Sequence, residues 1–388
     1  MNRKRKPKVQ ASTSTLCLRF CASLVWTLVF AACSGSIFTE KSISKQPTNS
    51  SIKQQSTVEP TSQVSPTSFE YVELFDRSHW WVAESNRLLK TEDAGHEWTQ
   101  TYTVTPPTDD GHNIQGLSFI NERIGFLIVS GRVLRTDNGG TNWTTVGSIS
   151  ETEKIQFKNC RFIDSMHGWV VGMLWKKGWV NDPKIPRYVG IAFTTQDGGH
   201  TWLRRQLDLP KGYRPDGTYW SLNDVFFEDA KTGWLVGDRG AIFGTGDGGE
   251  TWRLAPAQDV DYQRISFLDD RFGWATYKYG NSSWGVAVTI DRGQRWKLLK
   301  ESFVRGTWPV FAVFRNPEHC FAISLKLYET RDRGQLWKSL SGGDNDGEVA
   351  YEYLAEARDG TMVAFGLKGG ILTSLISTDT GATWQSNN

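Results

Sequence analysis

An eight-residue phrase, Ser/Thr-x-Asp-x-Gly-x-x-Trp, occurs seven times along the chain and constrains its fold more than any other feature. The best-preserved copy runs from Thr245 to Trp252. The Asp position of the seven copies is filled by Asp93, Asn138, Asp197, Asp247, Asp291, Asp332 and Asp379. Successive copies lie 41 to 59 residues apart, a period that is typical of propellers and solenoids.

The residue types in the phrase predict a tight turn, which we call the staple. Its Asp can accept hydrogen bonds from nearby backbone N–H groups, and its Gly allows backbone angles that other residues resist. Its Trp opens the next strand and offers a large ring for burial between blades. We therefore expect the staple Asp residues to have a structural role and not a catalytic one.

Each repeat also carries a pair of aromatic or apolar residues seven positions apart, separated by a polar turn. The pairs are Leu74/Trp81, Phe119/Phe126, Phe162/Trp169, Phe227/Trp234, Phe267/Trp274 and Phe314/Phe321, with a degenerate seventh copy. Each repeat thus offers four short strands bounded by Gly and Asp turns. The sequence predicts an all-β domain over residues 69–388, a seven-bladed β-propeller of four-stranded blades.

The first 68 residues have a different composition. Residues 1–33 join a basic start to an apolar run that is too short for a comfortable membrane span, as in an export signal. The run ends at Cys33 in a context that resembles a lipoprotein cleavage box, so lipidation of Cys33 is favoured over plain cleavage or an uncleaved anchor. Residues 34–68 are rich in Ser, Thr, Gln, Lys and Pro, which predicts a disordered tether.

The formal net charge of +2 conceals an acidic domain. Residues 1–32 hold six Lys and Arg and no acid, which leaves 38 basic against 42 acidic side chains, a net charge of −4. This balance argues against nucleic acid as a partner. Of the five Cys, only Cys160 and Cys320 lie in the repeats, in blades far apart, so we expect two buried thiols and no disulfide.

The staples resemble the Asp-box, or bacterial neuraminidase repeat. The fuller phrase Phe-x-Asp-x-x-x-Gly-Trp-x-Val-Gly, at Phe162 to Gly172 and again at Phe227 to Gly237, resembles the photosystem II stability and assembly factor family. The resemblance covers roughly residues 70–388. It implies a seven-bladed propeller on an exported, often lipid-anchored chain, and a protein that is not an enzyme.

The resemblance also implies a partner and a location. Photosynthetic members of the family bind newly made reaction-centre protein during photosystem II assembly. We therefore expect a membrane-anchored monomer that binds a reaction-centre subunit or precursor. Its location would be the periplasm or thylakoid lumen side in a cyanobacterium, and otherwise the cell envelope.

In a four-stranded blade, the hairpins between second and third strands share one face of the disc with the links between blades. We call this the non-staple face, because the staples lie on the opposite one. Every blade contributes at least one cation to it: Arg87, Arg132, Lys176, Lys177, Lys184, Arg187, Arg239, Lys278, Lys326 and Lys368. These residues predict a binding face for an acidic partner, and ordinary solvation of exposed hairpins is the alternative.

Two insertions lengthen the repeat, and both are predicted to lie on the non-staple face. One runs from Trp175 to Tyr188 in blade three, and the other from Leu209 to Gly217 in the link to blade four. Long loops on a rigid scaffold often carry function, and aromatic residues beside cations are frequent in binding hot spots. The blade-three insertion is therefore the expected specificity element.

The sequence lacks the patterns of a zinc site, an EF-hand, a nucleophile elbow or a phosphate-binding loop. We therefore expect no catalytic residue, no metal and no cofactor. The alternative function is a secreted carbohydrate-active or carbohydrate-binding propeller of the sialidase kind, which would share the staples. A deep central pocket lined by convergent carboxylates and Arg would favour that alternative.

Overall fold

The computed structural model describes residues 64–105, 114–150, 154–176, 187–207, 220–280, 283–299, 311–340 and 349–387. These residues form seven antiparallel four-stranded sheets, and each sheet is built from four consecutive strands. The predicted all-β, seven-bladed propeller is confirmed. Within the described ranges, no helix is long and apolar enough to cross a membrane.

The strands of the first four blades are short and follow one another directly in the chain. They are β1 (Tyr71–Leu74), β2 (Trp80–Ala83), β3 (Arg87–Thr91), β4 (Thr99–Thr103), β5 (Ile114–Phe119), β6 (Gly125–Val129), β7 (Arg132–Thr136), β8 (Thr144–Ser148), β9 (Ile155–Phe162), β10 (Gly168–Trp175), β11 (Tyr188–Thr195), β12 (Leu203–Arg205), β13 (Leu222–Phe227), β14 (Gly233–Gly237), β15 (Ile242–Thr245) and β16 (Arg253–Leu254).

The remaining three blades follow the same plan. Their strands are β17 (Asp261–Phe267), β18 (Gly273–Tyr279), β19 (Ser283–Thr289), β20 (Lys297–Leu298), β21 (Phe311–Phe314), β22 (Cys320–Ser324), β23 (Lys326–Thr330), β24 (Lys338–Ser339), β25 (Val349–Glu356), β26 (Met362–Lys368), β27 (Ile371–Ser377) and β28 (Gln385–Ser386). First strands of neighbouring blades contact one another, for example β5 with β9 and β13 with β17, which places them around the central axis.

The aromatic pairs of the sequence form a ladder between blades. The second aromatic of one blade stacks on the first aromatic of the next, with ring centroids 3.5 to 5.2 Å apart. The contacts are Trp81–Phe119, Phe126–Phe162, Trp169–Phe227, Trp234–Phe267 and Trp274–Phe314. Such pairs contribute beyond the apolar area that they bury. The ladder therefore fixes the spacing of blades one to six.

Blade seven closes the ring by another arrangement. Among the described residues, its sheet consists of β25 to β28, all from the C-terminal part of the chain, and the sheet of blade one consists of β1 to β4. Phe365 packs on Trp80 and Phe69, and the Asn387 amide donates to the Ala94 carbonyl at 2.5 Å. Side-chain packing and a few hydrogen bonds, and not a shared sheet, thus hold the two ends of the chain together.

Residues just before β1 already take part in this closure. Thr67 donates through its backbone N–H and its hydroxyl to the Glu84 carboxylate, at 2.5 and 3.0 Å, and Val64 packs against the closing core. The packed chain therefore begins no later than Val64, inside the stretch that the sequence predicted as tether. The predicted export signal, Cys33 and the rest of the predicted tether lie outside the described residues.

Five of the first strands carry a one-residue β-bulge at the same level, where the extra residue is polar. These residues are Gln115, Lys158, Asn223, Gln263 and Glu352. The bulge explains a glycine of the family phrase. A Cβ at Gly172 would lie 2.2 Å from the Gln156 carbonyl oxygen of β9, and a Cβ at Gly237 would lie 2.0 Å from the Ser221 carbonyl oxygen just before β13. The bulges bend the first strands around the axis near the non-staple face.

Candidate protein-binding face and polar axis

The staples are hydrogen-bonded turns on one face of the disc. In the fourth copy, Asp247 Oδ1 accepts from the Thr251 backbone N–H at 2.9 Å, and Thr245 Oγ1 accepts from the Gly249 N–H at 3.0 Å. Gly249 has a φ of 88°, which favours glycine. Hydrogen bonds, first among them that of the Thr251 hydroxyl, lower the pKa of Asp247 to about 2. This environment suits a structural carboxylate.

The seven staples share this geometry. At each copy, the Asp or Asn Oδ1 accepts from the backbone N–H four residues later; the residues are Asp93, Asn138, Asp197, Asp247, Asp291, Asp332 and Asp379. Several staples also accept a hydrogen bond from the preceding blade, since the indole N–H groups of Trp81 and Trp169 donate to the carbonyls of Gly139 and Gly248. The staples thus also join neighbouring blades.

The opposite face carries the predicted cations, and the structure places most of them at hairpins between second and third strands. The described ones are Arg87, Arg132, Lys176, Arg187, Arg239, Lys278, Lys326 and Lys368, whereas Lys177 and Lys184 lie outside the described residues. Backbone hydrogen bonds, such as that from Gly240 to Val260, join these hairpins to the links between blades. In the described part of the chain, hairpins and links therefore form a shared surface on this face.

The cations of this face differ in how free their charges are. Arg87 is ion-paired with the buried carboxylate of Glu84, so it adds little positive potential. The guanidinium of Arg187 lies 4.8 Å from the centre of the Trp175 ring, and the Lys278 ammonium lies 5.7 Å from that of Trp284. These cation–π contacts hold two of the cations beside aromatic rings, an arrangement suited to recognition.

The same face also holds a cavity of about 530 Å³ between blades four and five. It is lined by Tyr188, Asp238, Arg239, Asp259, Val260, Asp261, Lys278, Tyr279 and Gly280. Burial raises the pKa of Asp261, and Asp238 and Asp259 raise it further. The non-staple face is therefore a mixed-charge surface and not a uniform cationic ring.

The axis holds a layer of side chains that sequence reading missed. In each blade, one residue of the first strand pairs with the second-strand residue that lies two positions after the second aromatic. These first-strand residues therefore lie at the same level around the axis. These residues are Tyr71, Gly116, Asn159, Asp224, Arg264, Phe311 and Tyr353. We call this set the axial ring.

The axial ring links successive blades by side-chain contacts. Asn159 donates to Asp224 Oδ1 at 2.5 Å, and Asp224 Oδ2 accepts from the Ile265 N–H at 2.9 Å. The Arg264 guanidinium lies 5.7 Å from the Phe311 ring, which lies 4.0 Å from that of Tyr353.

Tyr71 completes the axial ring on the side of blade two. Its hydroxyl donates to the Lys158 carbonyl of blade three at 2.9 Å. Blade two, which lies between them, contributes only Gly116 at this level. The ring thus surrounds the axis mainly with polar and aromatic side chains.

The axial ring bears on the carbohydrate-active alternative, because it contains a carboxylate beside an Arg. Asp224 Oδ1 also accepts from the Val225 N–H at 2.9 Å, so both of its oxygens are engaged. Burial raises the pKa of Asp224, whereas Arg264 lowers it. A carboxylate held in this way is suited to positioning strands and poorly suited to proton transfer with a substrate.

One signal in the sequence could have revealed the axial ring. In blades three to five its members lie three residues before the first aromatic, so a polar residue at that spacing marks the axis, as in Asn159, Asp224 and Arg264. The bulges conceal this signal, because the extra residue shifts the alternation of inward and outward positions.

Comparisons with known proteins agree with this fold and these motifs. A family model described as "Photosynthesis system II assembly factor YCF48" matches residues 216–388. The photosystem II assembly lipoprotein Ycf48 of Synechococcus sp. (strain CC9902) is 23% identical over 285 residues, 70% of this chain and 74% of the relative. The resemblance to the photosystem II stability and assembly factor family is confirmed.

Solved structures with similar folds include both binding proteins and enzymes. A structure titled "YCF48 bound to D1 peptide" aligns over 81% of this chain and 92% of that one, with a TM-score of 0.53 and 18% identity. An ancestral GH74 enzyme aligns over 84% of this chain and 47% of that one, with a TM-score of 0.59 and 14% identity. At these identities the structural likenesses show the fold alone.

Proposed function

We propose that this chain is a non-catalytic photosystem II assembly factor that binds a reaction-centre protein through its non-staple face. The observation that carries the proposal is the shared resemblance to assembly factors, in sequence to the cyanobacterial lipoprotein and over most of the domain to YCF48 bound to a D1 peptide. The bound peptide belongs to that other protein, and its transfer to this chain is an inference from family and fold.

The character of the non-staple face supports a peptide or protein partner. Blades two, three and six contribute the exposed cations Arg132, Arg187 and Lys326 to this face. The cavity on the same face adds the cations Arg239 and Lys278, carboxylates and Tyr rings. Such a surface would hold an acidic segment that carries aromatic or occasional basic side chains. Electrostatic steering by exposed cations falls as salt rises, so capture of the partner should weaken with ionic strength.

The N-terminal segment supports a location at a membrane. Lipidation at Cys33, followed by a tether, would hold the propeller close to newly inserted membrane proteins. The Synechococcus relative is named a lipoprotein, in line with this anchor. We propose an exported, membrane-anchored monomer on the periplasmic or lumenal side, without metal or cofactor.

Capture of partners from detergent-solubilised membranes of the source organism tests the proposal. The full-length chain is compared with a variant that reverses three non-staple cations, Arg132→Glu, Lys278→Glu and Lys326→Glu. We expect enrichment of reaction-centre subunits by the wild type and loss of that enrichment in the variant. Enrichment of glycoconjugates or envelope proteins alone would instead support the carbohydrate-binding alternative.

A further inference from the structure

Three charged side chains, from three blades, lie on the staple side of the axial ring. Glu73 lies on β1 and Arg161 on β9, each opposite the second aromatic of its blade, at Trp81 and Trp169. Arg358 lies in the turn between β25 and β26. Both guanidinium charges act on the Glu73 carboxyl, so the three groups share one electrostatic environment.

Arg358 extends across the staple-side opening of the axis. Its guanidinium lies 5.4 Å from the centre of the Phe75 ring in blade one, and Nη2 donates to the Phe119 carbonyl of blade two at 3.3 Å. The side chain therefore spans from blade seven to blade two while remaining exposed to solvent. Its other donors remain available for a ligand.

The guanidinium of Arg161 differs from that of Arg358, because one of its nitrogens is shielded from solvent. Within the described part of the chain, Arg161 Nε is buried and has no hydrogen-bond partner. Among the same residues, neither Arg161 nor Arg358 forms an ion pair with Glu73 within 4.0 Å. An unpaired buried donor is costly, so an acceptor placed between these groups would be stabilising.

Most of the other side chains at this level are short. The other five blades contribute Ser118, Phe226, Ser266, Val313 and Ala355 at the level of Glu73 and Arg161. The axial ring lies on the non-staple side of this level, and the exposed Arg358 lies on the staple side. We therefore expect a ligand to enter from the staple face.

We propose that Arg161 and Arg358 form an axial site, beside the Glu73 carboxyl, for a small oxyanion: a sulfate, phosphate or carboxylate. Guanidinium groups bind such anions through charge-assisted hydrogen bonds. The site is separate from the proposed partner-binding face, and the proposal does not depend on that function.

Binding of the anion should be linked to protonation of Glu73, because of the charges around this carboxyl group. Burial raises its pKa to about 7, while Arg161 and Arg358 act to lower it. The other titratable groups facing it are the Cys160 thiol and the Tyr353 hydroxyl, whose pKa values burial raises further above neutrality. A bound anion would raise the Glu73 pKa again, so the anion should bind more tightly as pH falls.

Calorimetric titration of the full-length chain in detergent tests the site, with sodium sulfate and sodium acetate as probes at constant ionic strength. We expect one site, with sulfate about tenfold tighter near pH 6 than near pH 8, since the Glu73 proton adds to the binding. Glu73→Gln should bind sulfate equally at both pH values. Preference for sulfate or for acetate decides between tetrahedral and planar anions.

Arg161→Met should lose at least about tenfold in affinity, whereas Arg253→Met, which removes an exposed cation from the outer strand β16, should bind as the wild type does. Thermal melts confirm folding, and Arg161→Lys replaces Arg161→Met if the latter does not fold. Absence of binding by the wild type would overturn the proposal. Equal affinity in Arg161→Met and the wild type, or pH-independent binding by the wild type, would also overturn it.

Discussion

The staple face of this propeller is made of one repeated turn, whereas the hairpins of the non-staple face differ from blade to blade. On the staple face, seven turns repeat one hydrogen-bond pattern, and the indole of Trp169 in one blade donates to Gly248 in another. On the non-staple face, the hairpins differ in length and charge, and acids and cations share a cavity. Because the staples supply these repeated contacts, the hairpins of the non-staple face can differ in length and charge.

This difference separates residues that hold the fold from residues available for recognition. A turn repeated in every blade must satisfy the same backbone groups each time, so its residue types are restricted. A hairpin that only needs solubility can acquire charge and length without loss of stability. Substitutions at the two faces and at the axis test that separation.

Two Trp residues at opposite ends of β10 give the sharpest test. Trp169 lies toward the staple face, buried and stacked on Phe227 at 3.5 Å, whereas Trp175 ends the strand toward the non-staple face and is only partly buried. Trp169→Ala should lower the free energy of unfolding by about 3–5 kcal/mol and Trp175→Ala by less than about 1 kcal/mol. Denaturant unfolding measures both, and equal losses would contradict the separation.

The pH dependence of stability should have opposite signs at the axis and at the staples. Burial raises the folded-state pKa of Glu73 from 4.5 to about 7, so the folded chain binds a proton that the unfolded chain releases. Stability from this group is therefore gained as pH falls from about 8 to about 5. Glu73→Gln should stabilise the chain by about 1–3 kcal/mol near pH 8 and by little near pH 5.

Chemical denaturation at the two pH values checks this, in a buffer without sulfate or phosphate. The staple carboxylates give the reverse contribution, because a pKa lowered to about 2, as at Asp247, loses its stabilisation only in stronger acid. A Glu73→Gln chain with the same pH dependence as the wild type would show that another group controls stability in this range.

A single staple should contribute less than the aromatic ladder. Asp247→Ala removes acceptors for the Thr251 N–H and hydroxyl, at 2.9 and 2.6 Å, and should cost about 1–2 kcal/mol. Glu250→Ala in the same turn changes an exposed side chain and should cost less than about 0.5 kcal/mol. Thermal melts that do not distinguish the two variants would contradict the structural role of the staple Asp.

The fold could be read from the sequence because its determinants are local and repeated. The staple places Asp, Gly and Trp at fixed spacing, and each copy predicts the same turn. The axial site and the non-staple face are harder to predict from sequence, because they combine residues from strands and links that are distant in the chain. Arg161 and Glu73 are far apart in the chain, and two of the three acids around Arg239, Asp259 and Asp261, come from the following link and the first strand of blade five. Ring closure at Phe365 likewise follows from packing and not from the repeated phrase.

Binding of a reaction-centre protein by the non-staple face is the central claim. The most direct measurement is titration of a fluorescent reaction-centre peptide with the wild type and with two charge-reversed chains. One chain carries Arg132→Glu, Lys278→Glu and Lys326→Glu on the non-staple face. The other carries Arg123→Glu, Lys231→Glu and Arg271→Glu on the staple face.

Both variants change the net charge equally, so they differ only in which face is altered. We expect the non-staple variant to lose at least about tenfold in affinity at low salt, with the loss shrinking at high salt, and the staple variant to bind within about threefold of the wild type. Equal binding by all three chains, or a larger loss in the staple variant, would contradict the claim.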